Sequence, residues 1–182
     1  MTGVQTCALP IWAVLTRVYL GLGSNQGDSL ATLDAALAEL SASLNRLRSS
    51  SVYRTKPRYD EDQAEFLNLV AAGDTELSPR ELLSLTQGIE AAHGRDRAKE
   101  RFKGPRPLDI DLLLYGELVM AEPELMIPHP GIEERAFVLV PLLELEPELR
   151  APAAGPRGGR RYAEALALLP DQGIYLYRSA RL

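Results

Sequence analysis

Three stretches of this chain alternate residue character with period two, and the two longer stretches that separate them repeat apolar residues every three or four positions. Side chains two residues apart share a face of a strand, whereas three- and four-residue spacings line one side of a helix. The chain must therefore interleave strands with helices. The period-two stretches are residues 18–22, 66–73 and 108–114. In the second, Phe66, Asn68 and Val70 fall on one face and Leu67, Leu69 and Ala71 on the other. Between the first two, Leu30, Leu33, Leu37, Leu40, Leu44 and Leu47 predict one amphipathic helix of about five turns. A second helix is bounded by its own chemistry. Ser78, Pro79 and Glu81 form a capping-box sequence, Leu82, Leu85, Ile89 and Ala92 make an apolar face, and Gly94 is the stop.

Smaller signals fill in the rest. Residues 50–54 read as a short strand and residues 56–65 as a polar loop. Residues 115–117 form a turn with a hairpin return through 118–120, and the apolar segment 132–145 is helical in part. After a Pro/Gly/Arg-rich linker at 151–161 come a short helix, 162–169, and a strand-like piece, 174–177. Hairpin-like returns and short connections favour an antiparallel α+β sandwich over a doubly wound parallel sheet. Residues 1–15 read as a leader foreign to the domain or unassigned, 16–150 as the domain, and 151–182 as an extension packed on it.

Composition narrows the setting. A chain of 182 residues fits one domain with a substantial core. One cysteine excludes an internal disulfide, and two histidines with that cysteine make a structural zinc site improbable. A reducing, cytoplasmic address is the simplest. The apolar run at residues 7–15 is too short to span a membrane. A net charge of −5 without an aromatic-basic platform argues against nucleic acid.

The chemistry concentrates at residues 104–111, Gly-Pro-Arg-Pro-Leu-Asp-Ile-Asp. On a strand Asp109 and Asp111 point the same way, with α-carbons roughly 6.5 Å apart, so their carboxylates can converge on one or two hard cations. Magnesium suits such a pair, because it often takes only one or two protein carboxylates and completes its shell with phosphates and water. Taken alone, Asp-x-Asp also describes a solvated strand edge. Its neighbourhood differs from that: residues 94–106 carry six basic and two acidic side chains in an acidic protein. Arginine forks pair with phosphate oxygens in two places. A nucleoside triphosphate fits this combination, although neither G-x-x-x-x-G-K-[ST] nor the dinucleotide fingerprint is present. Asn68, polar among apolar strand residues, is either satisfied by backbone or kept for a ligand. Gln87 and Glu90, three apart, share a helix face leading into the basic loop.

In order, the motifs Tyr19-Leu-Gly-Leu-Gly-Ser-Asn25, Tyr53-Arg-Thr-x-Pro57, Phe66-Leu-Asn68, Gln87-x-x-Glu90, the arginine loop, Gly104-Pro-Arg-x-Leu-Asp-Ile-Asp111 and Pro128-His129 resemble those of the 6-hydroxymethyl-7,8-dihydropterin pyrophosphokinases of folate biosynthesis. The resemblance implies a ferredoxin-like α+β fold, with an antiparallel sheet between helices, and transfer of pyrophosphate from ATP to the pterin's hydroxymethyl oxygen. It implies two Mg2+ ions on Asp109 and Asp111. It places Gln87, Glu90, Arg95, Arg97, Lys99, Ile110, His129 and Arg135 around ATP, with Arg95 and Arg106 stabilising the transferring group. Thr55, Pro57, Phe66, Asn68 and Phe137 would hold the pterin, the two phenylalanines stacking on its faces. The expected partners are ATP and the pterin, with no nucleic acid or membrane, in a monomer or weak dimer. Two other classes share single features: a metal-dependent nucleotidyltransferase, which places Gly-Ser and Asp-x-Asp much closer together, and a non-enzymatic nucleotide-sensing module, which needs no carboxylate pair.

Overall fold

The computed structural model describes residues 15–56, 63–96 and 104–180. The first strand, β1 (Thr16–Ser24), leads into α1 (Ser29–Leu40), whose N-cap Asp28 accepts from Ala31 N. Then follow β2 (Asn45–Ser49), β3 (Val52–Thr55) and β4 (Phe66–Thr75). Helix α2 (Pro79–Ala92) opens on the capping box read from the sequence, with both Ser78 and Glu81 side-chain bonds formed, and Gly94 follows it at φ 87°. Next come β5 (Asp109–Tyr115), β6 (Met120–Glu122) and β7 (Leu125–Ile127), a 3-10 turn at Ile132–Glu134, α3 (Ala136–Leu145), α4 (Tyr162–Leu168) and β8 (Ile174–Arg178).

The main sheet runs β5-β1-β4-β3-β8, with β2 also on β4, and every pairing is antiparallel. Strands β5, β1, β4 and β3 with α1 and α2 make the ferredoxin-like arrangement. One face packs on α1 and α2 through Leu20, Leu22, Leu33, Leu69, Leu82 and Ile89. The other packs on α3 and α4 through Tyr19, Val70, Leu113, Leu139, Leu142 and Tyr162. Residues beyond 150 thus complete the second core, and β8 extends the sheet.

Two local expectations change. Helix α1 ends at Leu40 instead of continuing to Leu47: the Ser41 hydroxyl donates to Ala38 O at 2.6 Å, and residues 45–49 pair with β4. Leu44 and Leu47 still reach the first core, from a turn and a strand, so helical spacing persists without a helix. The return after β5 does not pair with it. Met120–Glu122 pairs with Leu125–Ile127 across a nearer turn, and His129 N donates to Leu113 O on β5 at 2.9 Å.

Candidate active site

Strand register builds the floor. Gly23 lies opposite Asn68 on one side and Asp109 on the other, and Gly21 lies between Val70 and Asp111. Paired residues share a face, so Asp109, Asp111, Asn68 and Val70 all rise from the surface covered further along by α3. The glycines leave space there. A Cβ on Gly23 would come within 2.9 Å of Asn68 Oδ1. Above them is a cavity of about 310 Å3, lined on one side by Asp109, Asp111, Arg95, Arg106, His129 and Arg135 and on the other by Thr55, Phe66, Asn68 and Phe137.

The charged wall is knit from β5 outward. Arg95, with its side chain 5 % exposed, lies between two carboxylates: Nη1 donates to Glu90 Oε1 at 2.7 Å and to Asp109 Oδ1. Arg106 Nη1 stands 3.4 Å from Asp109 Oδ2. Glu90, which the sequence placed with Gln87 on a helix face leading into the basic loop, is buried at 1 % exposure and also accepts from Ile110 N at 2.8 Å. It therefore fixes both an arginine and the strand that bears the carboxylates. Burial, then the neighbouring Asp109 carboxylate, push Asp111 up to about 7, against the pull of Arg135 and Arg106. Arg135 Nη1 and His129 Nε2 lie 3.7 and 3.9 Å from Asp111 Oδ2. Burial, then Arg135, hold His129 down at about 4, so the ring is neutral near pH 7. Its Nδ1 accepts from Gly131 N at 3.0 Å, leaving the proton on Nε2, toward Asp111.

The opposite wall carries two aromatic rings and one polar pair. Asn68 Nδ2 donates to Thr55 Oγ1 at 2.8 Å, while its Oδ1 lies over Gly23. The sequence left open a backbone partner for Asn68; its partner is a hydroxyl at the cavity edge. Phe66 lies under the Arg106 guanidinium at 5.7 Å, and Phe137 under that of Arg135 at 5.8 Å, so each ring already carries a cation on a face.

Asn25 has a role that the sequence reading missed. Its Nδ2 donates to Gln63 Oε1 and Ala64 O, both at 3.1 Å, its Oδ1 accepts from Arg106 N at 2.9 Å, and its own N donates to Arg106 O. One side chain thus ties the segment before Phe66 to the one that carries Arg106. The only signal was the asparagine at the end of β1, in the Gly-Ser-Asn motif. Lys56, also unassigned from sequence, lines the same cavity. Gln87 borders a second cavity of about 460 Å3 with Glu90, Gly94, Arg95 and Asp96. Pro57, Arg97 and Lys99 lie outside the described residues. Among the described residues no three His, Cys, Asp or Glu side chains gather as a metal site.

A family profile described as 7,8-dihydro-6-hydroxymethylpterin-pyrophosphokinase matches residues 19–147. The chain is 47 % identical over 162 residues to the 2-amino-4-hydroxy-6-hydroxymethyldihydropteridine pyrophosphokinase of Methylorubrum extorquens, covering 88 % of this chain and 98 % of that one. To the enzyme of the same name from Pseudomonas aeruginosa it is 41 % identical, covering 88 % and 96 %. Among solved structures it matches Plasmodium falciparum HPPK-DHPS with a TM-score of 0.66 at 15 % identity, over 90 % of this chain and 46 % of that one. That likeness bears on the fold alone, and the chain spans less than half of the solved protein.

Proposed function

The chain belongs to the 7,8-dihydro-6-hydroxymethylpterin-pyrophosphokinase family, and we propose that the cavity between Asp109 and Asn68 is where pyrophosphate passes from ATP to the hydroxymethyl oxygen of the pterin. The observation that carries this is the pairing of two walls in one cavity: Asp109, Asp111, Arg95 and Arg106 on one, and Asn68, Thr55, Phe66 and Phe137 on the other. The first wall suits a polyphosphate and the second a flat, hydrogen-bonding ring. Residues 16–150 form the catalytic unit on this reading, with 151–182 as its extension.

The donor set fits divalent cations. Burial, and then the neighbouring Asp109 carboxylate, hold Asp111 partly protonated near neutrality, a condition that a bound cation relieves. Among the described residues no three His, Cys, Asp or Glu side chains gather as a metal site, so the remaining ligands would be phosphate oxygens and water, as magnesium prefers. Asp109 and Asp111 would hold two Mg2+ ions, which, when bound, supply charge neutralisation on the transferring phosphates.

The chain's own residues do the rest by placement. Arg95, fixed by buried Glu90, and Arg106, held at its backbone by Asn25, direct donors at the oxygens where charge develops. Neutral His129 offers its Nε2 proton, and Arg135 its fork, beside Asp111. Gln87, Glu90, Arg97, Lys99 and Ile110 complete the ATP side, Glu90 acting through Arg95 and Ile110. Phe66 and Phe137 hold the pterin ring with Thr55, Pro57 and Asn68. No helix among the described residues is long and apolar enough to cross a membrane. We place the reaction in the cytoplasm, in a monomer or weak dimer.

Pterin-dependent conversion of ATP to AMP is the direct test; ATP turnover indifferent to the pterin would overturn the proposal. On the pterin wall, Asn68→Ala should weaken pterin binding by roughly 1–3 kcal/mol, because it removes a hydrogen-bonding group from a desolvated wall. ATP binding should stay near normal. Calorimetry with each ligand decides this, and equal losses for both would make Asn68 a structural residue.

A further inference from the structure

Glu144 stands where a helix disfavours it. It lies in the last turn of α3, beside carbonyls whose partial negative charge repels a carboxylate. Donors from β3 and from the residue just before it surround it instead. Ser51 N lies 3.1 Å from both carboxylate oxygens, Ser51 Oγ donates to Oε1 at 2.7 Å, and Tyr53 OH donates to Oε2 at 2.9 Å. Ser51 Oγ in turn accepts from Ala180 N at 3.0 Å, so the residues after β8 join the same knot. Burial, then the bond to Glu144, push the Tyr53 hydroxyl up to about 12, which keeps it a donor throughout the working pH range.

The knot lies at one end of two arms whose other ends are walls of the cavity. Strand β3 is only four residues long and finishes at Thr55, the acceptor for Asn68. Tyr53 is also the register partner of Asn68 on β4. Helix α3 begins beside Phe137, seven residues or roughly 10 Å before Glu144. Apolar burial of Val138, Leu139 and Leu142 docks the helix on the sheet, but such packing is non-directional. The hydrogen bonds to Glu144 supply a fixed position along the strand.

Resting on the pterin-site reading above, we infer that Glu144 is a positioning residue: through Ser51 and Tyr53 it sets the gap between β3 and α3, and so the spacing of Asn68 and Thr55 from Phe137. It touches neither substrate. Its removal should loosen the pterin side of the cavity and leave in place the part of the ATP side built on β5 and α2, with Asp109, Asp111 and Glu90; Arg135, at the N-cap of α3, is shared by both sides.

The test uses the full chain with Glu144→Ala, Glu144→Gln and Tyr53→Phe, titrated calorimetrically with the pterin and separately with a non-hydrolysable ATP analogue. For Glu144→Ala the pterin Kd and KM should rise about tenfold, with ATP affinity and kcat at saturating pterin within about threefold of wild type. Glu144→Gln should recover most of the loss, since its Oε1 still accepts from Ser51 and its amide can donate to the Tyr53 oxygen. Tyr53→Phe should give a smaller pterin defect of the same kind. An unchanged pterin Kd in folded Glu144→Ala, equal losses for both ligands, or no recovery in Glu144→Gln would overturn the inference and leave the pterin site standing. If Glu144→Ala does not fold, an unchanged pterin Kd in Tyr53→Phe would overturn it equally. A wild-type protein that binds the ATP analogue and no pterin would overturn the site reading and the inference together.

Discussion

Asp111→Asn should abolish turnover and yet make the ligand-free protein more stable above neutral pH. Removing either carboxylate, by Asp109→Ala or Asp111→Ala, should lower turnover by on the order of 10³-fold or more, because charge on the transferring phosphates is then left without its cations. The stability effect has the opposite sign. In the folded protein Asp111 titrates at about 7 rather than 3.8, pushed up by burial and by Asp109. Between those values the folded state binds a proton that the unfolded chain has lost, so this contribution is present below about pH 3.8 and disappears as pH rises to about 7. An asparagine stays neutral throughout. With the Asp111 side chain 37 % exposed, solvent screens much of the repulsion, and the gain at pH 8 should be about 1 kcal/mol. Thermal melts of metal-free wild type and Asp111→Asn at pH 5 and pH 8 measure it. A variant that is fully active, or one that melts below wild type at pH 8, contradicts the assignment.

Arg95→Ala and Arg106→Ala should each lower kcat on the order of 10³-fold while changing ATP affinity much less, since donors aimed at developing charge act mostly in the transition state. The two should differ in stability. Arg95 is the cation beside Glu90, which is 1 % exposed, and its loss leaves that buried carboxylate without its guanidinium. Breaking a buried pair from one side costs about 3–5 kcal/mol, so Arg95→Ala should melt well below wild type. Arg106 is more exposed, and Asn25 holds its backbone rather than its side chain. Arg106→Ala should melt near wild type. Steady-state kinetics with separate ATP titrations decide the catalytic part: a raised ATP dissociation constant with unchanged kcat would reduce both arginines to binding residues.

What the sequence disclosed depended on the range over which each signal acts. Capping of α2 is local chemistry, so Ser78, Pro79, Glu81 and Gly94 marked its ends correctly. The faces of β4 followed from period two alone, and Phe66, Asn68 and Val70 do line the cavity. Helix α1 was overextended because Leu44 and Leu47 keep helical spacing while serving the core from a turn and a strand; pairing with β4, a long-range event, decided the outcome. The hairpin return after β5 failed for a related reason, as the nearer partner β7 captured β6. In the site, the Asp109/Asp111 pair and its basic surroundings were legible as residue types at a spacing. The inward turn of Glu90, the clasp made by Asn25 and the tie of Glu144 to β3 were not, because each joins residues that meet only after folding.

Which phosphorus the hydroxymethyl oxygen attacks tests the central claim most directly. The measurement is transfer from ATP labelled at the β-phosphate, in the presence of magnesium and the pterin, with nucleotide and pterin products separated. If Asp109, Asp111, Arg95 and Arg106 hold the triphosphate for β-attack, all transferred label leaves with the pterin and the nucleotide product is unlabelled AMP. Label retained in ADP would mean attack at the γ-phosphorus, and label released as free pyrophosphate would mean nucleotidyl transfer; either result contradicts the assignment.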